Sequence, residues 1–265
     1  MGVQARRSRS GGSRPSGQHL LRSKVIIEEI VAQAGVAPDD LVLEIGAGTG
    51  GITDAVARAA GRVVAVELDP EFADTLRHRF RTRPTVEIVE SDFLEVPLPD
   101  APFRVVGNLP FALTTPILRR VFDDPGSPLV RADLIVQFEV ARKRASIWPS
   151  NLLALGWLPW WQFELVRHLP AAAFDPRPSV DAGLLSISRR TPALLRPSER
   201  SEYVKLLRTA FRREGLPIDR SLRGRISERS WKHLARARGV QLGARASQLD
   251  VFDWVAVFSV VRGLP

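Results

Sequence analysis

The chain has no cysteine, one methionine, one tyrosine and four histidines in 265 residues. Without cysteine there is no disulfide, no thiolate nucleophile and no cysteine-ligated zinc. The histidines (His19, His78, His168 and His233) are scattered, so no histidine cluster suggests itself and no metal is expected. No apolar run approaches the roughly 20 residues that span a bilayer, and the N-terminus lacks the apolar block of a signal peptide. A cytoplasmic protein without membrane association is the expectation. Apolar residues make up 45% of the chain, enough for the core of one large domain, or of a large and a small one.

Acidic residues are also scarce, but only in places. Residues 1–17 contain Arg6, Arg7, Arg9 and Arg14 with no acid, among four glycines and four serines. Such a segment cannot bury enough apolar surface to offset its ordering, so it reads as a disordered basic tail. Residues 191–265 hold 15 Lys and Arg against 7 Asp and Glu, whereas residues 18–190 hold 19 against 22. The positive excess of +9 therefore sits at the two ends. A near-neutral body between two basic segments is the pattern of a protein that binds a polyanion.

Between the ends, apolar periodicity gives an order of elements. Val25, Ile26, Ile30, Val31 and Ala34 predict an amphipathic helix from Ser23, stopped at Gly35. LVLEI (41–45), RVVAVE (62–67), VEIVES (86–91), RVVG (104–107) and ADLIVQF (132–138) read as buried strands. ITDAVARAA and PEFADTLRHRF, between the first three, read as helices. Strands alternating with helices mean an α/β domain with a mostly parallel sheet, here residues 18–190. WLPWWQFELVRHL (157–169) and GLLSISRR (183–190) look like antiparallel partners, with Trp157, Trp160 and Trp161 as packing residues. Residues 191–265 show only helical patterns and are read as a small helical domain.

In α/β sheets ligands bind beyond the carboxyl ends of the strands. The first such end is Glu44-Ile45-Gly46-Ala47-Gly48-Thr49-Gly50. Its glycines allow close backbone approach to a ligand, but they miss the G-x-G-x-x-G spacing of a dinucleotide turn. Glu67 ends the second strand as an acid suited to a ribose diol, which serves NAD or S-adenosylmethionine alike. Ser91-Asp92-Phe93 ends the third. A carboxylate there can meet an adenine amine while the ring lies against the base, which favours the methyl donor.

EIGAGTG, VELD, SDF and NLPF, in that order and spacing, resemble the ribosomal RNA adenine-N(6) methyltransferases, a family that includes the Erm antibiotic-resistance methylases and the small-subunit dimethyladenosine transferases. The resemblance implies a Rossmann-like, S-adenosylmethionine-dependent methyltransferase domain followed by a helical RNA-binding domain. It implies donor contacts from Gly46, Gly48, Glu67, Asp92 and Asn108. The family's Gln-Asn-Phe-Leu element corresponds here to Gln18-His19-Leu20-Leu21, which adds His19 and Leu21, with histidine able to donate a hydrogen bond in place of asparagine. The family's F-x-P-x-P-x-V element corresponds to Phe174–Val180 and makes Phe174 one of two rings that would flank the target base.

The chemistry of the target explains the turn Asn108-Leu109-Pro110-Phe111. The lone pair of adenine N(6) is delocalised into the ring, so the site must accept both amine hydrogens and turn the lone pair toward the methyl group. Asn108 brings a side-chain oxygen, Leu109 a carbonyl stiffened by Pro110, and Phe111 a ring that can stack on the base. VQFEVARKRA (136–145) and the arginine-rich tail look like the Erm branch. The expected substrate is therefore 23S ribosomal RNA, with resistance to macrolides, lincosamides and streptogramin B as the consequence and a monomer as the acting species. The alternatives are a 16S enzyme of ribosome maturation and a non-catalytic nucleic-acid binder on the same fold.

Overall fold

The computed structural model describes residues 19–146 and 151–263; the basic tail, residues 1–17, lies outside them. The strands are β1 (Leu20–Leu21), β2 (Leu41–Ile45), β3 (Arg62–Glu67), β4 (Val86–Glu90), β5 (Phe103–Asn108), β6 (Leu129–Gln137), β7 (Trp161–Leu169), β8 (Phe174–Asp175) and β9 (Ala182–Arg189). Seven of them form one sheet in the order β4-β3-β2-β5-β6-β9-β7. The first five in that order run parallel, whereas β9 is antiparallel to β6 and β7 to β9. This is the expected mostly parallel sheet, and its central strands are apolar on both faces because helices cover both. Val42, Val63, Val105 and Leu134 are all fully buried.

The helices of the first half are α1 (Lys24–Ala34), α2 (Gly51–Val56), α3 (Pro70–Phe80), α4 (Thr114–Phe122) and α5 (Phe138–Ala145). Ser23 caps α1 by accepting from the Ile26 N–H, and Gly35 ends it in the left-handed conformation at φ 61°. Its buried stripe is Ile27, Ile30, Val31 and Ala34, the i, i+3, i+4, i+7 set of one helix face. Val25, expected on that stripe, is 66% exposed. Helix α2 stops at Val56, and residues 57–59 continue as turns rather than completing the expected helix. In the tryptophan segment β7 begins only at Trp161. Residues 157–160 are turns, in which Trp157 O accepts from both the Trp160 and the Trp161 N–H. The three tryptophans are buried, as their packing role requires.

Helix α6 (Leu152–Leu155) precedes β7, and beyond β9 come α7 (Arg200–Phe211), α8 (Ile218–Ser221), α9 (Glu228–Arg238) and α10 (Val251–Val261). No strand follows β9 among the described residues. These helices share a core with the sheet. Leu43, Val105, Phe122, Trp157, Trp160, Tyr203, Trp254 and Phe258 belong to one buried cluster. Trp160 Nε1 donates to Leu195 O at 2.7 Å, and Arg200 pairs with Asp123 at 2.6 Å. The division near residue 191 is thus a change of secondary structure over a continuous core.

The sheet order locates the site. The chain fills the β3 and β4 side of β2, then crosses to β5 on the other side, and ligands bind where that direction reverses. Ile45 pairs with Gly107, so the glycine turn after β2 and the Asn108 turn after β5 emerge side by side.

Candidate active site

The turn after β2 bends through three left-handed glycines, Gly46 (φ 70°), Gly48 (φ 53°) and Gly50 (φ 78°), a region that side chains with a Cβ rarely enter. The N–H groups of Gly46 and Ala47 both donate to Val66 O, which ties the turn to the end of β3. A Cβ on Gly48 would lie 2.7 Å from Leu20 Cδ2, and one on Gly46 would lie 3.6 Å from the Asn108 carbonyl oxygen. The turn is therefore packed against both neighbouring segments.

Glu67 is 3% exposed at the end of β3. Its Oε2 accepts from the Gly48 N–H at 2.7 Å and its Oε1 from the Asp69 N–H at 2.9 Å. One carboxylate thus holds the glycine turn and the entry to α3 together. Beneath the turn, Glu44 is 1% exposed with one oxygen unpartnered. Burial, with a smaller contribution from the negative charge of Glu67, pushes its carboxyl up to about 8. Asp92, after β4, accepts from the Leu94 N–H through Oδ1 at 2.9 Å, which turns the chain so that Phe93 enters the core at 5% exposure.

At the end of β5 the Leu109 N–H donates to Ile135 O at 3.0 Å. The Pro110 carbonyl accepts from the Leu113 N–H, and the Phe111 carbonyl from the Thr114 hydroxyl. Among the described residues, no turn or loop bond ends on the Leu109 carbonyl. Asn108 Nδ2 donates to the His19 carbonyl at 2.5 Å, and no described donor reaches its Oδ1. The turn therefore leaves two acceptors free, one from a side chain and one from the main chain. Phe111 is partly exposed beside them, 5.8 Å from the His19 ring.

A single cavity takes in His19, Gly46, Gly48, Glu67, Asp92, Asn108, Leu109, Pro110 and Phe111. Two expected residues lie elsewhere. Leu21 does not line it; Leu20 does, because neighbours in a strand point to opposite faces and Leu21 faces the core beneath α1. Phe174 is 3% exposed among Ile27, Ile30, Leu169 and Leu184, so in this conformation it offers no face to a base. The apolar wall contains residues that carry no chemical signature in sequence, namely Ile45, Val66, Leu113 and Ile117. Leu68, 61% exposed, also lines the cavity.

The cavity wall has two carboxylates and, among the described residues, no lysine or arginine. A phosphate entering the cavity would meet these carboxylates and no cationic side chain. A nucleoside carrying a sulfonium and an ammonium group fits this charge. Gly46 and Gly48 would border its amino-acid end, Glu67 its ribose and Asp92 with Phe93 its adenine. The group supplies an electrophilic methyl when bound.

The sequence matches the ribosomal RNA adenine dimethylase family over residues 12–262. It is 35% identical over 255 residues to the mycinamicin-resistance protein MyrB of Micromonospora griseorubida, covering 95% of this chain and 80% of that one. It is 30% identical over 246 residues to the ribosomal RNA small subunit methyltransferase A of a Dehalococcoides mccartyi strain, covering 90% and 84%. The crystal structure of the 23S rRNA methyltransferase ErmE superposes with a TM-score of 0.82 at 29% identity, covering 91% of this chain and 99% of that one. The fold and the family both imply use of S-adenosylmethionine. From the paired free acceptors beside a glycine turn, and from these likenesses over nearly the whole chain, we conclude that the protein belongs to the ribosomal RNA adenine dimethylase family and is an rRNA adenine-N(6) methyltransferase.

Proposed function

We propose that the enzyme methylates one adenine of 23S ribosomal RNA and thereby confers resistance to macrolide, lincosamide and streptogramin B antibiotics. The observation that carries the catalytic part is the pair of unoccupied acceptors, Asn108 Oδ1 and the Leu109 carbonyl, at the mouth of the donor cavity. Two acceptors match the two hydrogens of an exocyclic amine. Once both are engaged, the nitrogen lone pair is turned out of the ring plane and is free to attack. Phe111 stacks on the base and holds it against the turn. The methylated nitrogen is cationic and loses its proton readily to water, so no strong base is required of the protein. Orientation and proximity account for most of the rate.

The choice of 23S over 16S rests on the greater likeness to a resistance protein than to a small-subunit enzyme, 35% against 30% identity, and on the ErmE superposition. The 16S reading keeps one argument, since relatives of that kind also match over most of the chain. Transfer of a tritiated methyl group to isolated 23S and 16S RNA, followed by mapping of the labelled nucleotide, separates the two. Label confined to one 23S adenine supports the proposal, and label confined to 16S overturns it.

A further inference from the structure

The N-terminal strap, residues 19–22, borders the cavity through His19 and Leu20 and is fastened to β8. β1 and β8 pair antiparallel, Leu20 with Asp175 and Leu21 with Phe174. The Arg22 N–H donates to Ala173 O at 3.0 Å, and the Arg22 side chain pairs with Asp175 at 2.5 Å. His19 adds a side-chain tie, with Nδ1 hydrogen-bonded to Pro176 O at 2.8 Å. Toward the cavity, the His19 carbonyl receives Asn108 Nδ2 and Leu20 packs over Gly48.

A carboxamide can sit in its plane in two ways that differ by exchange of oxygen and nitrogen. Only one of them presents an acceptor to an amine in the cavity. With the His19 carbonyl 2.5 Å away, the reverse orientation would set oxygen against oxygen, so the nitrogen must face the strap and the oxygen the cavity. We propose that the His19 main-chain carbonyl, held in place by the β1–β8 ribbon and by its own imidazole on Pro176, is the group that orients Asn108 for the target amine. His19 is then a positioning residue whose side chain acts through its own backbone. The same strap packs over Gly48, so one segment both borders the donor cavity and aligns the acceptor. The proposal rests on the reading of Asn108 as an acceptor for the adenine amine.

The chain contains only two asparagines, Asn108 and Asn151, so selective 15N-asparagine labelling gives two pairs of side-chain amide proton signals, and Asn108→Ala assigns them. In the native protein one Asn108 amide proton should exchange with solvent at least about tenfold more slowly than that of a free amide. His19→Ala keeps the carbonyl but cuts its anchor. It should shift the Asn108 signal and speed its exchange, and it should slow methyl transfer about 10- to 100-fold, the scale of a small misplacement. His19→Asn, able to donate to the Pro176 carbonyl, should restore both readings. Asn108→Asp should be as slow as Asn108→Ala, because a carboxylate oxygen would face the His19 carbonyl.

A native Asn108 amide that exchanges like a free one overturns the proposal, as does a His19→Ala signal identical to wild type. So does an Asn108→Asp enzyme that turns over normally. If instead Asn108→Ala itself retains full activity, the acceptor role fails, whatever the amide exchange reports.

Discussion

The Gly48 N–H donates to Glu67 Oε2 at 2.7 Å, so the acid that ends one strand holds the glycine turn that follows another. The sequence suggested a ribose contact for Glu67; the structure adds a second duty. Each carboxylate oxygen already has a backbone donor and retains a lone pair for a diol. Losing such a buried acceptor costs on the order of 1–3 kcal/mol. Glu67→Ala should therefore weaken donor binding roughly 10- to 100-fold by calorimetry, and Glu67→Gln should not rescue it, since its amide nitrogen would meet a backbone N–H. Unchanged donor affinity in Glu67→Ala would remove Glu67 from the site.

Phe111 and Phe174 should now behave differently from each other. A stacked or paired adenine has to be flipped out at a cost of a few kcal/mol, and stacking on an aromatic ring returns about 1–3 kcal/mol. Phe111 is at the cavity and partly exposed. Phe111→Leu should lose about tenfold or more in transfer rate, while Phe111→Tyr keeps most of it. Phe174 is buried in the core, so Phe174→Ala should lower thermal stability by about 3–5 kcal/mol as well as activity. A Phe174→Ala enzyme of native stability but no activity would instead mean that the ring swings out to meet the base.

What could be read from the sequence, and what could not, divides along physical lines. The parallel strands announced themselves as apolar runs, and the glycine turn as a place where only glycine suits the backbone. Asn108 and Glu67 stood out because polar residues that end buried strands need a reason. The β1–β8 ribbon was invisible because two-residue strands have no period. Leu20 was passed over for Leu21 because facing depends on a register that only the ribbon sets. The His19 carbonyl had no signal at all, since a main-chain atom is common to every residue type. Phe174 matched its motif yet is packed under α1, and that burial follows from tertiary contacts far away in the chain.

The C-terminal helices carry a surface that the core does not explain. Arg212, Arg213, Arg220, Arg223 and Arg225 are all exposed, and Arg213, Arg220 and Arg223 line one depression with Leu216, Ile226 and the two acids Asp219 and Glu228, so the bases there outnumber the acids by one. Each phosphate neutralised makes log affinity fall with log salt by about 0.7–0.9. Replacing Arg213, Arg220 and Arg223 by alanine should lower the salt slope of RNA binding by about 2–3, while the site of methylation stays the same. An unaltered slope would mean that these arginines only solvate the surface.

Glu44 supplies a test that needs no RNA. Its carboxyl is raised from 4.5 to about 8 in the folded protein, chiefly by burial. Below pH 4.5 the group is protonated in both folded and unfolded chains, and the native state has no disadvantage. Between 4.5 and about 8 the folded chain keeps a proton that the unfolded chain gives up, so stability falls as pH rises, by up to about 1.4 kcal/mol per pH unit. Above that window the loss is constant. Glu44→Gln keeps the shape of the neutral acid and cannot ionise. Its unfolding free energy, measured by denaturant titration, should be close to that of the parent near pH 4.5 and exceed it increasingly up to pH 8, by a margin on the order of a few kcal/mol. Parallel curves for the two proteins across this range would show that Glu44 ionises at its ordinary value and that the floor of the glycine turn is open to water.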